Sequence, residues 1–245
     1  MFSSFEWMMA LRYLRARRQE GFVSVIAWFS LLGIMLGVAT LIIVMSVMNG
    51  FRQELLTRIL GVNGHISVYS DSRQITNFDD IALQVKKIDG VVKVTPVIEG
   101  HVMVSANGDS KGAVVRGLRQ SDIESRTILS SNIQLGSLKK FRGNNAIVLG
   151  YRMARNLNLN IGDKLTLISP DGNITAFGTV PRMKAYRVVA IFNIGMHEYD
   201  SSFIYMPLAA AQVYFKFPAA IGYLDVVIKK PNSAVKMVGT LRDKL

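Results

Sequence analysis

The chain has 245 residues, is 50% hydrophobic, and carries 29 Lys and Arg against 17 Asp and Glu, for a formal net charge of +12. With no cysteine it has neither a disulfide framework nor a cysteine-ligated metal site. Its basic residues are scattered, without a dense Lys/Arg block or interleaved aromatics, which argues against nucleic-acid binding despite the charge.

In chain order, Trp7, Ala10, Leu11 and Leu14 recur at helical spacing on one face. Arg12 and Arg15 lie off that face, and Arg17 and Arg18 close the segment. Residues 1–20 therefore read as a cytoplasmic amphipathic segment lying in a membrane interface. The four arginines place this end in the cytoplasm under the positive-inside rule. No charged side chain occurs between Glu20 and Arg52. As a helix, Val23–Met48 is roughly 39 Å long, against a bilayer core of about 30 Å. The spacing predicts a transmembrane helix over 21–50. The run is too long for a signal-peptide core, and Asn49-Gly50-Phe51 is no small-residue cleavage site. Gly33 and Gly37 form a small-xxx-small pair on which another helix could pack. Val44, Met45, Val47, Met48 and Phe51 make the helix end bulky and adaptable. Phe51, Leu55 and Ile59 keep helical spacing until Gly61-Val-Asn-Gly64, so 51–64 reads as a stalk.

Residues 65–245 read as one α+β domain on the far side of the membrane. Strands are expected at His65–Tyr69, Val91–Val97, Val102–Ser105, Ala113–Gly117, Ala146–Leu149, Lys164–Ser169, Tyr186–Phe192, Phe203–Met206 and Tyr223–Ile228. Helices are expected at Phe78–Ile88, capped by Asn77, at Tyr151–Leu157, at Leu208–Phe215 with Pro207 in the first turn, and at Ser233–Leu245. Asn107-Gly108 signals a tight hairpin. Pro96 marks an edge or bend. Leu118–Arg142 lacks periodicity and reads as loop.

No enzyme constellation emerges. His65, His101 and His197 do not form a metal-binding pair at His-Glu-x-x-His spacing, and no metal site is expected. There is neither a phosphate-binding loop nor a Gly-x-Ser-x-Gly elbow. Asp79-Asp80 and Glu198-Tyr-Asp200 read as helix-start or loop carboxylates rather than acid/base dyads. The feature that stands out is Ser169–Lys184, an excursion between strands bracketed by Pro170 and Pro181, which resist ladder pairing. It carries Ile174, Phe177 and Val180, and Arg182, Lys184 and Arg187 follow. An apolar arm beside basic residues is a candidate docking surface. The same pattern also fits a loop folded back on its own domain.

Three stretches carry a family resemblance: Ser46-Val-Met-Asn-Gly-Phe51, the run from Leu149 to Asp163, similar to a Gly-x-x-Leu-Ala-x-x-Leu-x-Leu-x-x-Gly-Asp segment with Met153 in place of the first Leu, and Ser202–Gln212. Together they resemble the lipoprotein-releasing ABC transporter permease family, LolC/LolE, within the MacB-type permeases, and the likeness covers essentially the whole chain. The resemblance implies an inner-membrane permease subunit, non-enzymatic itself and without cofactor. Its partners would be a cytoplasmic ABC ATPase of LolD type and a second LolC/LolE-like permease subunit. It would lift lipoprotein substrates from the outer leaflet and pass them to a periplasmic LolA-like carrier. By the same resemblance Pro170–Pro181, with Ile174, Phe177 and Val180, would be the carrier-docking hook of a LolC-like subunit. Lys164, Arg182 and Lys184 would form an adjacent pad, and Val44, Met48 and Phe51 would line a lipoprotein cavity. The family has three further membrane helices after the periplasmic domain, whereas this sequence stops at Leu245, inside or just after that domain. Two other readings stay open: a MacB-type mechanotransmission or efflux permease, and a single-pass membrane-anchored binding or scaffold protein.

Overall fold

In lipid, an uncharged apolar run can satisfy its backbone only internally, and this one is helical throughout. The computed structural model describes residues 4–14, 21–175 and 178–242. The chain divides into two units, Met1–Thr57 and Arg58–Leu245. The first holds α1 (Ser4–Leu14) and most of α2 (Gly21–Val62), a single 42-residue helix about 63 Å long. Its Val25–Val62 portion is long and apolar enough to cross a membrane. The side chains along its apolar run are almost all exposed, as a lipid-facing surface requires. Arg15, Arg17 and Arg18 lie outside the described residues.

The second unit begins with the last turn of α2 and is α+β. In chain order it comprises β1 (Ile66–Tyr69), β2 (Ile75–Thr76), α3 (Phe78–Lys86), β3 (Val91–Ala106), β4 (Asp109–Leu118), α4 (Gln120–Glu124), α5 (Thr127–Ser130), β5 (Ile133–Gly136), β6 (Ala146–Gly150) and α6 (Tyr151–Asn156). These are followed by β7 (Lys164–Thr175), β8 (Gly178–Phe192), α7 (His197–Ser202), β9 (Phe203–Pro207), α8 (Leu208–Phe215), β10 (Ala220–Ile221), β11 (Tyr223–Ile228) and α9 (Ala234–Arg242). The main sheet runs β1-β11-β3-β4-β9-β6-β8-β5, and β7 pairs with both β3 and β8. That double pairing closes six strands, β3-β4-β9-β6-β8-β7, into a ring.

Period-2 alternation fills the ring. Val102 and Val104, Ala113 and Val115, Ile204 and Met206, Ile147 and Leu149, Tyr186 and Val188, and Leu165 and Leu167 come from its six strands and meet in one buried cluster. The intervening residues on β6, β8 and β9, including Val148, Phe192 and Tyr205, form a second cluster with Ile123 of α4 and Leu129 of α5. A third joins β1 and β11 to α3 and α9 through Ile66, Val226, Val85 and Leu241.

Several expectations change. Val91–Val97 and Val102–Ser105 are one strand, β3, and Gly100 does not break it. Gly100 faces the ring of Phe215, whose carbons a Cβ would strike, so its small size serves packing. Pro96 lies opposite Leu224 on the part of β3 that pairs with β11 alone, the edge position a residue without N–H needs. Leu118–Arg142 is not loop but holds α4, α5 and β5. These elements are too short to show a period and are held by burial of Ile123 and Leu129. Asn77 stands at the N-cap of α3 in the left-handed region (φ 52°) and its side chain makes no capping bond. Pro207 ends β9 at the N-cap of α8 rather than inside its first turn. Asn107-Gly108 does form the two-residue turn, with Ala106 paired to Asp109 and both φ angles positive.

Leu149 is fully buried inside the ring. Leu149→Ala should destabilise the folded chain by about 2–5 kcal/mol, read as a lower denaturant midpoint in detergent. An unchanged midpoint would mean that this layer is not the core.

Candidate functional site

The protruding arm expected between Pro170 and Pro181 is a β-hairpin. At its base Ser169 pairs with Arg182, and at its outer end Asn173, Ile174 and Thr175 pair with Val180, Thr179 and Gly178. Between these rungs the register shifts. Pro170 and Pro181 fall in that gap, where neither can donate to a ladder. Gly172 also lies there, its Cα against the carbonyl of Val180, where a Cβ would collide. The arm therefore departs from the ring through a short unladdered neck. Val180 is 54% exposed, and Pro170 and Pro181 are exposed too. Phe177 lies outside the described residues.

The basic residues beside the arm are not arranged alike. Arg182 Nη1 donates to the backbone carbonyl of Tyr214, and its guanidinium lies 5.9 Å from the Tyr214 ring centroid. Lys184 Nζ donates to Asn144 O at 3.1 Å and sits 5.0 Å from the Tyr186 ring centroid. Lys164 is exposed at the start of β7, paired in register with Arg187. Burial pushes the Tyr214 phenol up to about 12, with Arg182 pulling the other way. Tyr186 is also raised by burial, reinforced by Tyr214 and opposed by Arg182. On the opposite face of β8, Met183 pairs with Ile168, which pairs in turn with Met103. Met183 is 64% and Met103 45% exposed. An apolar row thus crosses three strands at the foot of the arm.

On α2, Val44, Met48 and Phe51 are exposed and share a face by their spacing. A Cβ added at Gly33 or Gly37 would meet nothing within 4 Å.

Where α2 ends, a polar cluster is buried. Arg126 Nη1 donates to Val62 O and Nη2 to Asp225 Oδ2 at 2.6 Å. Asp225 Oδ1 accepts from Gly64 N at 2.8 Å. The Arg126 and Asp225 side chains are 10% and 8% exposed. Beside them Arg116 donates to Asn63 Oδ1 and Glu99 Oε2, both at 2.6 Å. Asn63 Nδ2 donates to Tyr199 OH, Tyr223 OH to Glu99, and Arg58 Nη1 to Ile194 O. Burial opposes the charge on Arg116, but Tyr205, Tyr223 and Glu99 outweigh it and shift its pKa upward. Burial lowers the pKa of His65, against the pull of Asp225, and its Nδ1 accepts from Ile228 N at 2.9 Å.

The profile of the MacB-like periplasmic core domain matches residues 27–243. The chain belongs to that family. Family relatives with close sequences include the lipoprotein-releasing system transmembrane protein LolC of Neisseria meningitidis serogroup B, 31% identical over 98% of this chain and 58% of the relative. LolC of Xylella fastidiosa is 30% identical over 82% and 48%. The lipoprotein-releasing system transmembrane protein LolE of Haemophilus influenzae is 28% identical over 91% and 55%. The chain thus spans about half the length of the curated relatives it matches.

Within this family domain, sequence reading found the arm from its prolines and apolar residues but missed the row Met103–Ile168–Met183, which appears only once the pairing of β3, β7 and β8 is known. It missed the polar cluster as well, because Arg126 and Asp225 are 99 positions apart and neither stands in a local motif. The carboxylate pairs are structural: Asp79 pairs with Arg119 at 2.6 Å, and buried Asp200 holds Ile194 N at 2.9 Å.

Removing Arg126 leaves the buried Asp225 carboxylate without its cationic partner. Arg126→Met should cost about 3–5 kcal/mol of stability. Adding Asp225→Asn should recover part of the loss, because the amide oxygen keeps the Gly64 bond without the charge. Additive losses in the double variant, measured by denaturant unfolding, would contradict a coupled pair.

Proposed function

We propose that this chain is the membrane-anchoring and periplasmic part of a permease subunit in an ATP-driven lipoprotein-releasing complex, and that its arm docks the periplasmic carrier. The observation that carries this reading is the arm itself: a proline-bracketed hairpin with Val180 exposed, on a chain 31% identical to a LolC across 98% of its length. An apolar arm held out from its own domain has use only if another molecule covers it. The row Met103–Ile168–Met183 at its foot, with both methionines exposed, would widen the contact, with Lys164 beside it and Lys184 on the other face of β8 steering the approach.

In this reading the subunit is not an enzyme, and a LolD-like ATPase supplies the hydrolysis. Residues 1–20 lie on the cytoplasmic side of the inner membrane, α2 crosses it, 51–64 form the stalk, and 65–245 are periplasmic. Gly33 and Gly37 meet helices of the second permease subunit or of the remaining permease. Val44, Met48 and Phe51 face the acyl chains of the lipoprotein in transit.

Two experiments test this. Deleting Ile174–Val180 should abolish capture of the purified carrier while membrane insertion persists, and undiminished capture would sink the docking role. Because the chain has no cysteine, single substitutions report topology cleanly. In cells with a permeabilised outer membrane, an impermeant maleimide should label Ser70→Cys and spare Ser4→Cys. The opposite labelling would invert the orientation.

A further inference from the structure

We propose that Arg182 is a positioning residue that fastens the neck of the arm to the end of α8 and so sets the arm's direction before any partner arrives. The proposal rests on the docking reading for its purpose, but its geometry stands apart from it. Arg182 occupies the last paired rung of the ring, opposite Ser169, immediately before the register shift where Pro170 and Pro181 interrupt the ladder. With no rungs in the neck, the hairpin's orientation depends on how firmly that last rung is held.

The hold is reciprocal. Tyr214 is in the last turn of α8, so its carbonyl is among those the helix cannot satisfy internally. The same end carries the partial negative charge of the helix dipole, which favours a cation. Arg182 Nη1 donates to that carbonyl, its guanidinium stands over the Tyr214 ring, and Tyr214 OH donates back to Arg182 O at 3.4 Å. One residue pair thus ties side chain to backbone in both directions. The anchor itself is fixed. Tyr214 is 1% exposed and packs edge-on against Tyr186 at 5.8 Å and Phe215 at 4.9 Å between ring centroids. A residue whose work was to meet a partner's surface would direct its guanidinium outward. Here it is committed to α8, and Lys184, two residues on, makes no such contact with that helix.

The test uses the full chain in detergent with a nitroxide on Thr179→Cys, unique because no native cysteine exists. Arg182→Gln should increase nitroxide motion with no carrier present and weaken binding of the purified periplasmic lipoprotein carrier about tenfold. Tyr214→Phe keeps the ring volume and removes only the returning hydroxyl. It should loosen the label in the same direction but less, and the double variant should be no looser than Arg182→Gln. Lys184→Gln, which removes equal charge, should leave the spectrum unchanged. Circular dichroism melts of each variant confirm that the domain is folded. If Arg182→Gln weakens carrier binding with the carrier-free spectrum unchanged, Arg182 touches the carrier directly and the proposal is overturned. If the label loosens while carrier binding holds, the fastening stands and the docking reading fails instead.

Discussion

An α-helix ends in carbonyls it cannot satisfy, and for α2 the end falls inside a folded domain rather than in water. Arg126 resolves this. It takes the Val62 carbonyl with one nitrogen and the Asp225 carboxylate with another, and Asp225 then receives the backbone N–H of Gly64. Each group would be costly to bury alone. Together they leave the turn from α2 into β1 bonded on both sides. The second set, Arg116 with Asn63 and Glu99, holds the next residue of that turn. The start of the domain is therefore fixed by charge pairs supplied by β3, β4, β11 and the segment before α5.

Around that fixed start, the ring provides the rigid body. Its closure depends on β7, which pairs with β3 on one side and β8 on the other. The same strand continues into the arm. Carrying the arm on a strand already paired on both sides gives it a firmer root than a surface loop would have, since a loop contributes no ladder beneath it.

The sequence made local structure legible where one element decides it. Alternation gave the strands, Asn107-Gly108 gave its turn, and Pro170 and Pro181 marked the neck of the arm. It failed where the deciding partner is distant. Val91–Val97 and Val102–Ser105 read as separate strands because what lets β3 run on through Gly100 is the Phe215 ring packed there, far along the chain. The segments around Ile123 and Leu129 looked like loop because a single turn buries too few residues to show a period. Arg182 looked like surface charge because α8, which receives it, lies some 30 positions further on. Ring closure, the polar cluster and the apolar row across β3, β7 and β8 share this cause, for each exists only after strand pairing.

The neck has a mechanical meaning of its own. A two-stranded ribbon built into a closed ring behaves as a cantilever: load applied at the tip bends it at its thinnest section and arrives at the root as torque. The thinnest section here is the unladdered gap beside Gly172, and the root is the rung of Ser169 and Arg182. From there the load enters β7, whose pairing with β3 continues through β3 to β11 and to Asp225, the carboxylate that holds the turn after α2. Root and helix end are thus joined by strand ladders that finish in one carboxylate, and the neck is the single section of the path from the tip that lacks rungs.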